Sequence, residues 1–326
     1  MKRLTWIALA LFVVIATVIS TTWSSSATKS VTLFYTATAN GNLEPCGCPV
    51  NPSGGVSRRA AYVREHTQSD APPVLLDGGD WVGPPSPIGL LQSDYMLRAM
   101  QDMGYEVIGV GPRDFAFGIE FLKQAEQVSG MTITNANIVN AETREPFFAP
   151  WAITYAGRGS FLGFTYGGTK IGVVGVMSGD IPPLCIDCDA PIEILPPVPR
   201  VEAAVAELDG QCELIVVLAY APMDQIEQIA QIPGVDVVIV SRTLYPPYGY
   251  ENVNLKDGTV IAFTGYQSRR VGHTTLYLTD DGRVVSVEGD LVNLGENMPE
   301  DPKTSRLIEQ YYEDLQRIPG DKLHGQ

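Results

Sequence analysis

The stretch Val74-Leu75-Leu76-Asp77-Gly78-Gly79-Asp80 decides the fold. Its apolar run is too short for a helix and leads into two glycines bracketed by aspartates. It reads as a strand buried on both faces, followed by a tight turn that carries an acid at the strand end. Similar runs, most of them rich in β-branched residues, recur at 31–35, 107–110, 171–176, 214–218 and 235–240. Helical periodicity fills the intervals at 56–67, 94–103, 119–128, 201–208 and 223–229, with Ser93 as an N-cap and Gly104 as a stop for the second of these. This alternation predicts a layered α/β domain. From Val260 the texture changes. Short strands at 260–263, 273–278 and 284–287, the last two separated by Asp280-Asp281-Gly282, predict antiparallel pairing. A final amphipathic helix at 304–317 places Leu307, Ile308, Tyr311 and Leu315 on one face. Proline-rich stretches at 84–87, 196–199 and 246–247 read as surface loops.

The 326 residues carry 18% charged and 45% hydrophobic side chains, which excludes disordered, collagen-like and coiled-coil classes. A net charge of −15 argues against nucleic acid as a partner, because phosphate binding needs a basic footprint. Lys2 and Arg3 precede an apolar run over 4–19 and a polar, small-residue patch around Ser25-Ser26-Ala27. The pattern is an export signal, either cleaved or retained as a membrane tether, and it predicts a periplasmic or secreted chain in which disulfides are permitted. The expected organisation is a signal or anchor over 1–29, one domain over 30–296, and a helix and tail over 297–326.

Ligand crevices of α/β folds lie at the carboxyl ends of the strands. The first strand is followed by Thr36-Ala37-Thr38-Ala39-Asn40-Gly41, the second by Asp77-Gly78-Gly79-Asp80, and the third by Gly111-Pro112-Arg113-Asp114-Phe115. Later strand ends give Ala219-Tyr220 and Ser241-Arg242-Thr243-Leu244. Together with Gly54-Gly55-Val56-Ser57-Arg58-Arg59-Ala60 and Asn135-Ala136-Asn137, this series resembles the calcineurin-like metallophosphoesterases, in their secreted 5'-nucleotidase branch. The resemblance covers residues 31–318 and implies a four-layer αββα sandwich with mixed sheets. It stops before that branch's separate C-terminal substrate domain.

The departures from the family pattern bear on function. A two-metal phosphoesterase clamps attacking and leaving oxygens between two cations held by carboxylates and imidazoles. Family strand ends read Asp-x-His, Gly-Asp, Gly-Asn-His-(Glu/Asp), a lone His, and Gly-His-x-His. Matched to them, this sequence has Thr38 and Asn40 at the first, Pro112 and Arg113 at the third, Tyr220 at the lone His, and Arg242 and Leu244 at the last. Asp80 alone matches, at the bridging carboxylate, and Asp114 follows Arg113. The three histidines, His66, His273 and His324, fall away from strand ends. A buried Asp80 needs a partner, so the expectation is a guanidinium pair with Arg113, Arg242 or both in place of metal.

Cys46-Gly47-Cys48 and Cys185-Ile186-Asp187-Cys188 follow two strand ends that could share a rim. They allow structural disulfides, a redox pair, or a four-thiolate zinc or iron–sulfur centre. The CxC loop also resembles a 5'-nucleotidase-like branch that includes selenoproteins, which implies redox use of Cys46 or Cys48. Cys212 reads as a small buried hydrophobe. Gly78-Gly79 and Gly54-Gly55 serve tight turns or cradle a phosphate. Arg58 and Arg59 read as a solvated helix face. Glu44, Asn42, Asp77 and Asp114 are the oxygen donors available beside Asp80 for a hard divalent cation. Trp81, Tyr245, Tyr248 and Tyr250 read as a pocket or partner surface, and the loop from Tyr245 to Tyr250 as the surface for an exported protein partner.

Three functions fit these residues. The first is a non-hydrolytic binding or scaffold protein on a phosphoesterase fold. The second is a cysteine-based redox or metal protein. The third is a phosphoester hydrolase with a site rebuilt around Asp80.

Overall fold

Alternation in Leu33-Phe34-Tyr35 sends neighbouring side chains to opposite faces of one strand, and each face is buried against a different layer. A computed structural model of the chain describes residues 29–48, 50–67, 72–157, 159–161, 164–166, 168–185, 190–242 and 246–319. The N-terminal export segment, Cys188, Tyr245 and His324 lie outside the described residues.

The strands are β1 (Lys29–Thr36), β2 (Val74–Asp77), β3 (Tyr105–Ile108), β4 (Thr132–Ile133), β5 (Ile138–Asn140), β6 (Trp151–Ala156), β7 (Gly159–Phe161), β8 (Phe164–Tyr166), β9 (Thr169–Met177), β10 (Ile192–Ile194), β11 (Leu214–Tyr220), β12 (Val237–Val240), β13 (Val253–Lys256), β14 (Thr259–Phe263), β15 (Arg270–Leu278) and β16 (Val284–Asn293). The helices are α1 (Val56–Thr67), α2 (Pro87–Met103), α3 (Gly118–Ser129), α4 (Pro197–Leu208), α5 (Met223–Ala230) and α6 (Pro302–Leu315).

Two mixed six-stranded sheets face each other, in the orders β16-β15-β1-β2-β3-β4 and β13-β14-β12-β11-β9-β6. Between them Leu33, Tyr35 and Leu76 pack with Val173, Val216 and Val237. Phe34, Leu75 and Ile108 turn the other way and meet Val63 of α1, Met96 and Met100 of α2, and Leu122 of α3. Val201 and Ala204 of α4 and Ile226 of α5 cover the outer face of the second sheet. The result is the expected four-layer αββα sandwich. β1 pairs antiparallel with β15 and parallel with β2, the mixed pairing that the hairpin texture after Val260 implies.

Several sequence expectations are corrected. The cap of α2 is Ser86, whose Oγ accepts the Gly89 N–H at 3.0 Å. Ser93 lies inside the helix, where its hydroxyl donates to the Gly89 carbonyl at 2.6 Å. The prolines at 87 and 197 open α2 and α4 rather than forming loops, because the first helical turn needs no N–H from them.

Candidate functional site

Both sheets end at one rim. A side-chain carbon on Gly78, after β2, would stand 1.9 Å from Oγ of Ser241, after β12. Gly79 takes φ 95°, and a carbon there would stand 2.5 Å from the Gly111 backbone nitrogen, so only glycine lets the loops after β2 and β3 close on each other. Thr38, Asn40 and Asp80 also hold left-handed φ values of 52°, 52° and 58°, although none is glycine. Backbone bonds zip their loops together: Thr38 N–H donates to the Gly79 carbonyl and Asn40 N–H to the Asp80 carbonyl, each at 2.8 Å.

The buried carboxylates are held by the protein's own donors. Asp80 Oδ1 accepts the Arg113 backbone N–H at 2.8 Å, and the Tyr220 hydroxyl also donates to this carboxylate. Burial raises the Asp80 pKa to about 6, against the opposing pull of those donors and of the Arg113 charge. Asp114 is fully buried and accepts three backbone N–H groups, from Asp80 at 2.7 Å, Gly111 at 2.8 Å and Val82 at 3.1 Å. Burial and the neighbouring Asp80 charge raise its pKa well above the usual carboxylate range. Asp77 accepts from the Thr36 hydroxyl at 2.6 Å and the Gly79 N–H at 2.9 Å, and burial lifts it to about 6.

The expected guanidinium pairs are corrected in part. Arg242 turns away from Asp80: its Nη1 reaches both Asp180 oxygens, at 2.8 and 2.6 Å. Arg113 contacts Asp80 through its backbone and acts on it by charge. The buried cation of this region is one the sequence reading placed in solvent. Arg59 is 0% exposed, donates from Nη2 to the Ser268 hydroxyl at 2.6 Å, and its charge stabilises ionised Asp77. The signal was present in the helix spacing, since residue 59 shares the inward face of α1 with Val56, Ala60 and Val63. Arg58 is also buried and donates to the Pro52 carbonyl at 3.0 Å.

These groups do not fit a two-metal centre. Thr38 spends its hydroxyl on the Gly265 carbonyl at 3.1 Å, and Asn42 turns its amide to the Ala39 carbonyl at 2.8 Å, while Glu44 is exposed. Among the described residues, no three His, Cys, Asp or Glu side chains converge as a metal site requires. The Gly78-Gly79 pair does not form a phosphate cradle either. Gly78 and Gly54 give their N–H groups to the Thr36 and Leu294 carbonyls, and Gly79 gives its own to Asp77.

No family model matches the chain. A 2',3'-cyclic-nucleotide 2'-phosphodiesterase/3'-nucleotidase of Haemophilus influenzae is 26% identical over 273 residues, 73% of this chain and 41% of that protein. A 5'-nucleotidase precursor from Thermus thermophilus superposes with a TM-score of 0.72 at 20% identity, over 89% of this chain and 60% of that one. The calcineurin-like phosphoesterase YfkN from Bacillus subtilis gives 0.71 at 17% identity, over 88% and 98%. In sequence the chain is similar to these nucleotide phosphoesterases, and its fold is that of the calcineurin-like phosphoesterases and 5'-nucleotidases. It spans about two-fifths of the length of the Haemophilus relative.

On this metallophosphoesterase scaffold the cysteines part company. Cys185 is disulfide-bonded, whereas Cys46, Cys48 and Cys212 are free, so the two motifs do not assemble a four-thiolate zinc or iron–sulfur centre. Cys212 is half-buried against the core between the sheets. Cys46 Sγ accepts the Ser53 N–H at 3.3 Å and further hydrogen bonds from Cys48, which together pull its pKa down to about 6. Cys48 is exposed, and sharing its proton with Cys46 raises its own pKa.

The expected aromatic surface is corrected at two positions. Trp81 is buried, stacked 6.0 Å from Phe121. Tyr250 packs on Phe263 and donates to Glu227 at 2.6 Å, leaving Tyr248 fully exposed. Among the described residues, no helix is long and apolar enough to cross a membrane.

Proposed function

We propose that this chain is an exported metallophosphoesterase-fold protein whose strand-end rim binds or scaffolds and does not hydrolyse phosphoesters through a dinuclear centre. The observation that carries this reading is the state of Asp80. The one carboxylate at a family ligand position is held by the Arg113 N–H and the Tyr220 hydroxyl, and the matched positions around it are Thr38, Asn40, Arg113, Tyr220 and Arg242. None of those five brings a carboxylate, imidazole or thiolate to a cation.

Export is supported by the Lys2-Arg3 and apolar leader pattern and by the disulfide at Cys185, a bond that persists in oxidising compartments. The fully exposed Tyr248 supports the loop up to Tyr250 as a contact surface for a protein partner.

The experiment is a hydrolysis screen of purified protein against nucleoside monophosphates, 2',3'-cyclic nucleotides and an aryl phosphodiester, each with Mg²⁺, Mn²⁺, Zn²⁺ or Ca²⁺. No turnover above the metal-only control is expected. Turnover that vanishes in Asp80→Ala would establish a rebuilt hydrolytic site instead.

A further inference from the structure

The rim carries a second chemical feature that lies outside the carboxylate cluster. Cys46 is fixed by reciprocal bonds to Ser53. Its N–H donates to the Ser53 carbonyl at 2.9 Å, and its sulfur receives the Ser53 N–H at 3.3 Å with the Ser53 hydroxyl 3.8 Å away. The neighbouring bridge between Pro45 and Gly54 holds both sides of this arrangement. Cys48, two residues on, hydrogen-bonds to the same sulfur and stands exposed. Ser53 also forms one wall of a polar cleft lined by Asn51, Tyr266, Arg269 and Asn293. The Arg269 charge reaches Cys48, and its buried Nε has no hydrogen-bond partner among the described residues. A thiolate-stabilising donor set, a second thiol in reach and a cationic cleft therefore meet within one surface patch.

We infer that Cys46 and Cys48 form a dithiol that exchanges with disulfides carrying a carboxylate, the anion being received by the Arg269 cleft. This activity goes beyond the rim's proposed binding role and uses different residues.

The balance of the reaction is simple. The Cys46 thiolate attacks one sulfur of the substrate disulfide. That S–S bond breaks, a mixed disulfide forms on Cys46, and the departing sulfur leaves as a thiolate that takes up a proton. Cys48 then loses its proton and attacks Cys46 Sγ. The mixed disulfide breaks, the Cys46–Cys48 bond forms, and the second substrate sulfur departs as a thiol. Two protein thiols are oxidised by two electrons, and one disulfide is reduced to two thiols. Exchange with an external dithiol reverses the sequence and resets the pair. The order of attack follows from the donors, because the sulfur best supplied with hydrogen bonds is the one ionised near neutral pH.

The test uses the full chain with oxidised glutathione as the anionic probe and cystamine as the cationic one. Free thiols are counted under denaturing conditions and adducts are mapped by mass spectrometry. With the Cys185 disulfide intact and the Cys46–Cys48 pair open, the protein should show three free thiols, Cys46, Cys48 and Cys212. Oxidised glutathione should lower the count to one and leave a Cys46–Cys48 disulfide. Cys48→Ser should trap glutathione on Cys46, and Cys46→Ser should react at least about tenfold more slowly, since its remaining thiol is largely protonated at neutral pH. Arg269→Ala should remove the preference for the anionic probe. Iodoacetamide labelling of the wild-type protein reads the same claim without a variant, with Cys46 labelling around a midpoint near pH 6 and ahead of Cys48. Equal labelling of both cysteines at an ordinary thiol midpoint, or failure to form the internal disulfide, would overturn the exchange site. Equal rates with cystamine and oxidised glutathione would overturn the carboxylate assignment. A soft metal ion retained by the pair through purification, with exchange blocked, would replace the redox role with a metal-binding one.

Discussion

The Asp114 carboxylate accepts the backbone N–H of Asp80 at 2.7 Å, so one buried acid fixes the loop that presents the other. With the Gly111 and Val82 N–H groups also pointed at it, Asp114 acts as the anchor between the loops after β2 and β3. Asp114→Ala leaves three buried donors without an acceptor, which predicts a loss of stability on the order of 3 kcal/mol or more. Asp114→Asn keeps an acceptor oxygen and should cost less. Urea denaturation followed by tryptophan fluorescence reads both, and a neutral Asp114→Ala would refute the anchoring role.

Acidification should stabilise this part of the structure. Asp77 and Asp80 have folded pKa values near 6 against about 4 in an unfolded chain, so the folded state binds more protons between those values. Their contribution is therefore fully present below about pH 4 and lost as the pH rises through 6. Its size is on the order of 2–3 kcal/mol for each group. Asp180, Glu213 and Asp301 are held below the usual range and act with the opposite sign, their support disappearing as pH falls. The expected result is that Asp77→Asn and Asp80→Asn each flatten the fall in stability between pH 5 and pH 7 relative to wild type. An unchanged slope in both variants would show that the burial of these acids does not govern the transition.

The two arginine environments predict opposite outcomes. Arg242 and Asp180 are partly exposed, and removal of such a pair costs about 1 kcal/mol or less. Arg59 is fully buried beside Asp77, and Arg59→Met should cost on the order of 3 kcal/mol by stranding that carboxylate. Thermal melts of the two single variants compare the sites directly, and equal shifts would contradict the assignment of Arg59 as the structural cation.

Gly79→Ala tests the closed loop. A methyl group there would meet the Gly111 nitrogen at 2.5 Å in a conformation that L residues rarely adopt. A cost on the order of 3 kcal/mol is expected. A stable Gly79→Ala protein with an unchanged melting temperature would mean that the two loops are free to separate.

Strands were legible in the sequence where they are long, apolar and central. The 214–218 and 171–176 runs fall inside β11 and β9, because a strand buried on both faces needs an unbroken apolar run. β4, β5 and β10 are two or three residues long, and no periodicity of that length can be read. The third strand starts at Tyr105 and ends at Ile108, earlier than the expected 110, because Gly109 and Val110 belong to the turn that brings Gly111 against Asp80. At the site, the order of strand-end residues was readable but their partners were not. Arg242 found Asp180, in a loop distant in sequence, and Arg59 was drawn inward by the face of α1 on which it falls. The cysteines followed the same rule. Spacing announced two pairs, and only the three-dimensional path shows that Cys185 is bonded while Cys46 draws its donors from Ser53.

Cation stoichiometry addresses the central claim most directly. Isothermal titration of the purified, chelator-treated protein with Mn²⁺ and Zn²⁺, backed by elemental analysis of the untreated protein, should find no dinuclear occupancy and no difference between wild type and Asp80→Asn. Two equivalents of a divalent metal bound per chain in the wild type, and lost in Asp80→Asn, would contradict it.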